Sequence, residues 1–150
     1  MKKIFSIILI FLLSGCGYTA MYKDLKSQNI QLEILNVSGN EDFNNLLMME
    51  LNRYIKSGQG KLYKIEINTN YDKIDYAKDA TGKATEFELS LIVTFNVEHS
   101  GISKKISFNE KFYTDASENK FKQKNYENTI LKNFATSVKD QLILRLSILQ

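Results

Sequence analysis

Apolar and polar residues alternate with period two through four stretches of this chain and recur at helical spacing through two others. Ile30, Leu32 and Ile34 alternate with Gln31 and Glu33, which predicts a half-buried strand ending near Val37. After the turn residues Ser38, Gly39 and Asn40, the positions Phe43, Leu46, Leu47, Leu51, Tyr54 and Ile55 form one helical stripe. Glu41 and Asp42 suit the positive end of that helix, and Gly58 or Gly60 suits its stop. Tyr63, Ile65, Ile67, Thr69 and Tyr71 give a second strand face, and Phe87, Leu89, Leu91, Val93, Phe95 and Val97 give a third. His99, Ser100 and Gly101 supply a tight turn into a fourth strand. There Ile102, Ile106, Phe108 and Phe112 alternate with Ser107, Asn109, Lys111 and Tyr113. Tyr126, Ile130, Leu131, Phe134, Ala135, Val138, Leu142 and Leu146 mark a closing amphipathic helix.

The order β-α-β-β-β-α predicts an α/β fold of the α+β sandwich kind, with two helices packed on one face of a four-stranded mixed sheet. The first strand, helix and second strand make a parallel crossover, split or adjacent, and the last three strands an antiparallel meander. Periodicity leaves the strand order open. It does assign loops to ends, because each element reverses direction and short connections join neighbouring ends. The end where the first strand begins is here called the bottom. It receives the exit of the first helix and the His99 turn. The top receives residues 38–40, a loop over about residues 76–84, and another over about residues 116–125.

The N-terminus carries different chemistry. Lys2 and Lys3 precede an apolar run over residues 4–13, broken only by Ser6, which is the shape of a secretory signal and too short for a permanent membrane span. Leu13-Ser14-Gly15-Cys16 follows, and Cys16 is the sole cysteine, so no disulfide framework is available to the fold. The chain divides into a signal at 1–15, a polar tether at 16–29 and one domain at 30–150. Removing Lys2 and Lys3 with the signal takes the formal charge from +3 to +1. Whole-chain charge therefore gives no case for nucleic acid, and any basic surface has to be local.

The top loops hold Lys78 and Lys83, and Lys120, Lys122 and Lys124, five cations that connectivity brings toward one end. Such a cluster suits a phosphorylated or otherwise anionic ligand. Asp75, Asp79, Asp115 and Glu118 dilute it, and solvated loop lysines in a Lys-rich chain are the plain alternative. Lys104 and Lys105 form a second basic pair, beside the bottom turn. The polar side of the meander carries Glu86, Glu88, Thr94, Asn96, Glu98, Asn109 and Lys111. That face is either solvated or covered by a partner, with Tyr113, Ile92 and Tyr63 or Tyr76 as the contacts.

No enzymatic constellation emerges. His99 is the only histidine and sits at a predicted hairpin tip without a second type of metal ligand nearby, whereas zinc sites and histidine-based triads need further groups around the imidazole. The chain has no G-x-S-x-G, P-loop or H-E-x-x-H pattern. Glu86 and Glu88 share a strand face at a spacing a glycosidase uses, but a solvated sheet face explains them as well. The expectation is a non-enzyme with no catalytic residues, no metal and no cofactor.

Leu13-Ser14-Gly15-Cys16 resembles the lipobox of bacterial lipoproteins, in which the cysteine is acylated and becomes the mature N-terminus. The order of Cys16-Gly17-Tyr18, a short tether to Tyr22, the strand-helix-strand opening, Thr85-Glu86-Phe87-Glu88-Leu89 and Phe112-Tyr113 resembles the LPS-assembly lipoprotein family, LptE, in its divergent non-enteric form. The resemblance implies an outer-membrane lipoprotein, acylated on Cys16 and inserted into the lumen of an LptD β-barrel, that binds lipopolysaccharide. It implies ligand-binding basic residues before the third strand and before the last helix, which on this chain match Lys78 or Lys83 and Lys122 or Lys124. Glu86 departs from the family by placing an acid where relatives often carry a polar or basic residue. Gly17 after the cysteine agrees with sorting to the inner leaflet of the outer membrane. A periplasmic auxiliary lipoprotein of a lipid-transporting ABC system shares the anchor and the small body, and is the alternative reading. An anchored cell-wall enzyme is a third.

Overall fold

The computed structural model describes residues 30–55 and 60–148. Its elements are β1 (Ile30–Gly39), α1 (Glu41–Ile55), β2 (Lys61–Lys78), β3 (Ala84–His99), β4 (Ile102–Asp115) and α2 (Lys120–Ile148). The sheet order is β1-β2-β3-β4, with β1 parallel to β2 and the remaining pairs antiparallel. This is the expected mixed sheet of an α+β fold, and its parallel crossover joins adjacent strands. Cys16, the lipobox, the tether and Gly58 lie outside the described residues. No described helix is long and apolar enough to cross a membrane.

One apolar layer holds the body together. The inward residues of β2 and β3, from Tyr63 to Ile67 and from Leu89 to Val97, are almost wholly buried against Phe43, Leu47 and Leu51 of α1 and Val138, Leu142 and Leu146 of α2. Burying a side chain of this size stabilises by roughly 1.5–3 kcal/mol, so the layer is the dominant source of stability. Tyr63 belongs to it: at 1 % exposure it faces inward and donates its hydroxyl hydrogen to the Leu146 carbonyl at 3.2 Å. It is therefore not on the helix-free face, and of the two tyrosines Tyr76 is the exposed one, at 58 %.

The junction of β1 and α1 is tightly built. Gly39 has φ +100°, and a Cβ there would lie 1.8 Å from the Thr69 carbonyl oxygen. Asn40 caps α1 by accepting from the Phe43 amide at 2.9 Å. The Thr69 hydroxyl accepts from the Asn40 amide at 3.0 Å and donates to Asn44 Oδ1 at 2.7 Å. The bottom β3–β4 turn is a two-residue hairpin, His99 pairing with Ile102 and positive φ at both Ser100 and Gly101.

Two top loops are shorter than the sequence pattern predicts. β2 continues to Lys78, leaving residues 79–83 as the turn, and α2 begins at Lys120, leaving residues 116–119. Both extensions lack an apolar stripe: residues 72–76 of β2 are exposed, and so are residues 120–122 at the start of α2. Lys120, Lys122 and Lys124 accordingly sit on a helix rather than in a loop.

Candidate functional site

The top of the molecule is assembled from the β2–β3 hairpin tip, the segment over residues 116–119 and the first turns of α2. Asp79 builds the hairpin tip. Its Oδ1 accepts from the Thr81 hydroxyl at 2.6 Å and from the backbone amides of Thr81 and Lys83 at 2.8 and 3.1 Å. These bonds hold its carboxyl below the usual aspartate range, the Thr81 hydroxyl contributing most. The segment over residues 116–119 docks on the hairpin base through the Ala116 amide, which donates to the Thr85 carbonyl at 2.8 Å. Asn119 then caps α2 by accepting from the Lys122 amide at 3.0 Å.

The five expected lysines fall into two groups. Lys78 pairs with Asp75 at 3.1 Å and Lys83 with Glu118 at 3.2 Å, so the hairpin cations are locally neutralised. Lys120, Lys122 and Lys124 make no ion pair among the described residues. They sit at the positive end of α2, whose first turn holds no acid. Lys122 lines a recess of about 720 Å³ beside the end of β4, with Tyr113, Asp115, Gln123 and Tyr126. Lys120 and Lys124 line a second recess on the other side of the helix, with Asp42, Tyr71, Lys73 and Phe87. The lysines thus flank the start of α2 on both sides and do not close around a single point.

Periodicity gave no sign of the side chains that hold this helix start in place. Gln123 is 8 % exposed, accepts from the Ser117 amide at 2.8 Å and donates to Glu127 Oε1 at 2.8 Å. Glu127 in turn pairs with Lys73, whose ammonium lies 3.9 Å from the Phe87 ring centroid. Tyr71 is beside this pair; burial, and then the Glu127 charge, push its hydroxyl up to about 12. A lysine at an inward strand position was the available signal, since it needs a partner there.

The helix-free face carries a polar cluster near the same end. Glu88 accepts from Lys111 Nζ at 2.6 Å and, although it points to the outer face, is 8 % exposed. The Lys111 and Tyr113 hydrogen bonds hold its carboxyl below the ordinary glutamate range. Tyr76 and Tyr113 meet edge to face at 4.7 Å, and Tyr76 stands where the β2–β3 register shifts. At the bottom, His99 Nδ1 lies 2.7 Å from the Leu62 carbonyl oxygen and its ring stacks on Tyr63. Lys104 and Lys105 are exposed there, at the start of β4.

No protein-family profile matches the chain, and no curated protein sequence does. Solved structures do. Rare lipoprotein B from Shewanella oneidensis superposes with a TM-score of 0.55 at 15 % identity, over 75 % of this chain and 92 % of that one. Lipoprotein B from Nitrosomonas europaea gives 0.51 at 14 %, over 81 % and 86 %. A minor lipoprotein from Acinetobacter baumannii gives 0.50 at 16 %, over 77 % and 93 %. In fold, the chain is similar to rare lipoprotein B and to these other bacterial lipoproteins, which agrees with the resemblance read from the residues.

Proposed function

We propose that this chain is a non-enzymatic outer-membrane lipoprotein, anchored through acylated Cys16, that partners an LptD-like β-barrel and contacts lipopolysaccharide with its upper tip. The observation that carries the reading is the coincidence of a lipobox with the fold of rare lipoprotein B, two independent features of one chain. The anchor would lie at the inner leaflet of the outer membrane, and the tip would rise into the barrel lumen.

The ligand end of the reading draws on the start of α2. Cations at a helix N-terminus oppose the helix dipole, and three of them without carboxylate partners mark a surface kept positive at some cost to the fold. Phosphates of a lipopolysaccharide headgroup match that surface. Lys78 and Lys83 flank the turn of the neighbouring hairpin, where Asp75 and Glu118 pair with them.

Affinity purification of the tagged, lipidated protein from its native membrane tests the partnership. Recovery of an outer-membrane β-barrel is the expected result. Recovery of an inner-membrane ABC transport complex without a barrel contradicts it and favours the auxiliary-lipoprotein reading. For the tip, replacing Lys78, Lys83, Lys122 and Lys124 by Glu is expected to weaken lipopolysaccharide binding while leaving the circular dichroism spectrum intact. Unchanged binding would reject that assignment.

A further inference from the structure

The bottom of the sandwich carries a second basic surface, unlike the first in composition. Lys104 and Lys105 at the start of β4 and Arg145 near the end of α2 line one shallow recess with Ile106 and Ile148. None of the three cations is ion-paired among the described residues. Arg145 lies over Phe108, its Cζ 4.9 Å from the ring centroid. Two large aliphatic residues frame the patch, Ile102 at 73 % and Ile148 at 71 % exposure. Lys104 and Lys105 also line the neighbouring recess on the helix-free face, with Lys64, Glu66 and Glu98, so the two recesses together set four cations against two carboxylates and the surface stays net positive.

We propose that this patch is a membrane-contact surface for anionic phospholipid headgroups, resting on the reading of Cys16 as the lipid anchor. Cations flanked by exposed aliphatic side chains are the composition that binds at a charged bilayer interface. Chain length selects this end. The segment from Cys16 to Ile30 spans at most about 50 Å when fully extended. β2, whose first residue pairs with Ile30, has 18 residues and runs about 60 Å. A domain anchored at Cys16 cannot stand upright on its upper tip, because Ile30 would then lie farther from the leaflet than the tether spans, whereas its bottom lies well within reach. The upper cations are therefore free for a ligand away from the leaflet, and the lower ones face the lipid.

The test uses the full lipidated protein in vesicles. With Cys16 acylated, a cysteine introduced by Ser103→Cys takes a single environment-sensitive fluorophore beside the patch, and Thr81→Cys provides a control at the upper tip. Each cation near an anionic surface favours contact by roughly fivefold, so the three together favour it by about a hundredfold. Acrylamide quenching at position 103 should fall severalfold in phosphatidylglycerol–phosphatidylcholine vesicles relative to phosphatidylcholine alone, and quenching at position 81 should not change. K104Q/K105Q/R145Q should abolish the difference, and K104Q/K105Q, which keeps the Arg145–Phe108 packing, should remove most of it. Equal quenching at position 103 in both vesicle types, as a surface reserved for a protein partner would give, overturns the proposal. Flotation reports the anchor separately: a chain that floats with anionic but not neutral vesicles retains the patch and loses the lipid anchor.

Discussion

The two helices start at the same end of the molecule with the same capping residue and opposite charge. α1 is capped by Asn40, opens with Glu41 and Asp42 and closes with Arg53, which is the arrangement the helix dipole favours. α2 is capped by Asn119 and opens with Lys120, Lys122 and Lys124. The difference lies in what holds each terminus. The start of α1 is locked into the fold by Gly39, Thr69 and Asn44, and its charges assist folding. The start of α2 is held by Gln123 and by the buried stripe from Ile130 to Leu146, so its surface charge is released from that duty. A helix of 29 residues tolerates an unfavourable first turn because packing supplies most of its stability.

The sharpest break of this contrast is Gly39→Ala. A methyl group 1.8 Å from a backbone oxygen, at φ +100°, forces the β1–α1 junction apart, and urea denaturation should show a loss of about 3 kcal/mol or more. Gly82→Ala at the hairpin tip is the control: φ is also positive there, but nothing lies within 4 Å of the added Cβ, so only the backbone strain of about 1 kcal/mol remains. Next in size are the caps. Asn40→Ala and Asn119→Ala should each cost about 1 kcal/mol, measured the same way. Equal losses would show that the termini differ in charge and not in capping.

Smaller, and opposite in sign, is the effect of reversing the α2 charges. K120E/K122E/K124E should raise the melting temperature by a few degrees at low salt, with the gain shrinking at high salt as the charges are screened. The smallest effect concerns acid. Glu88 has a folded pKa below its ordinary value of 4.5, so its contribution is present above that pH and lost as pH falls through the lower folded value. Glu88→Gln should flatten this acid limb, seen as a shallower fall of the urea midpoint below pH 4.5.

The same contrast explains how far the sequence could be read. Strand parity was legible wherever one face meets helices, as in Leu89 to Val97, since burial imposes the period of two. α1 was legible because its charges and its apolar stripe agree. The upper part of β2 was not, because its inward position 73 is a lysine held by Glu127 and Phe87, and residues 74–76 are exposed, where no face must be apolar. The start of α2 was hidden likewise: Phe121 is 76 % exposed and the apolar stripe begins only further along. The five lysines were legible as residues of one end, and their pairing was not, since Asp75 and Glu118 act through geometry that spacing does not encode. The burial of Gln123 depends on the Ser117 amide and Glu127, partners that no pattern announces.

The proposed function requires that the lysines opening α2 be kept for an anionic ligand and not for the fold. Thermal melts of the lipidated protein and of K120Q/K122Q/K124Q, each with and without purified lipopolysaccharide, test it most directly. A ligand that binds only the folded state raises the melting temperature in proportion to its occupancy. Lipopolysaccharide should stabilise the parent protein, and the variant should melt at the same or a higher temperature alone yet gain little from the ligand. A variant that is less stable alone and keeps the full ligand-induced rise would contradict it.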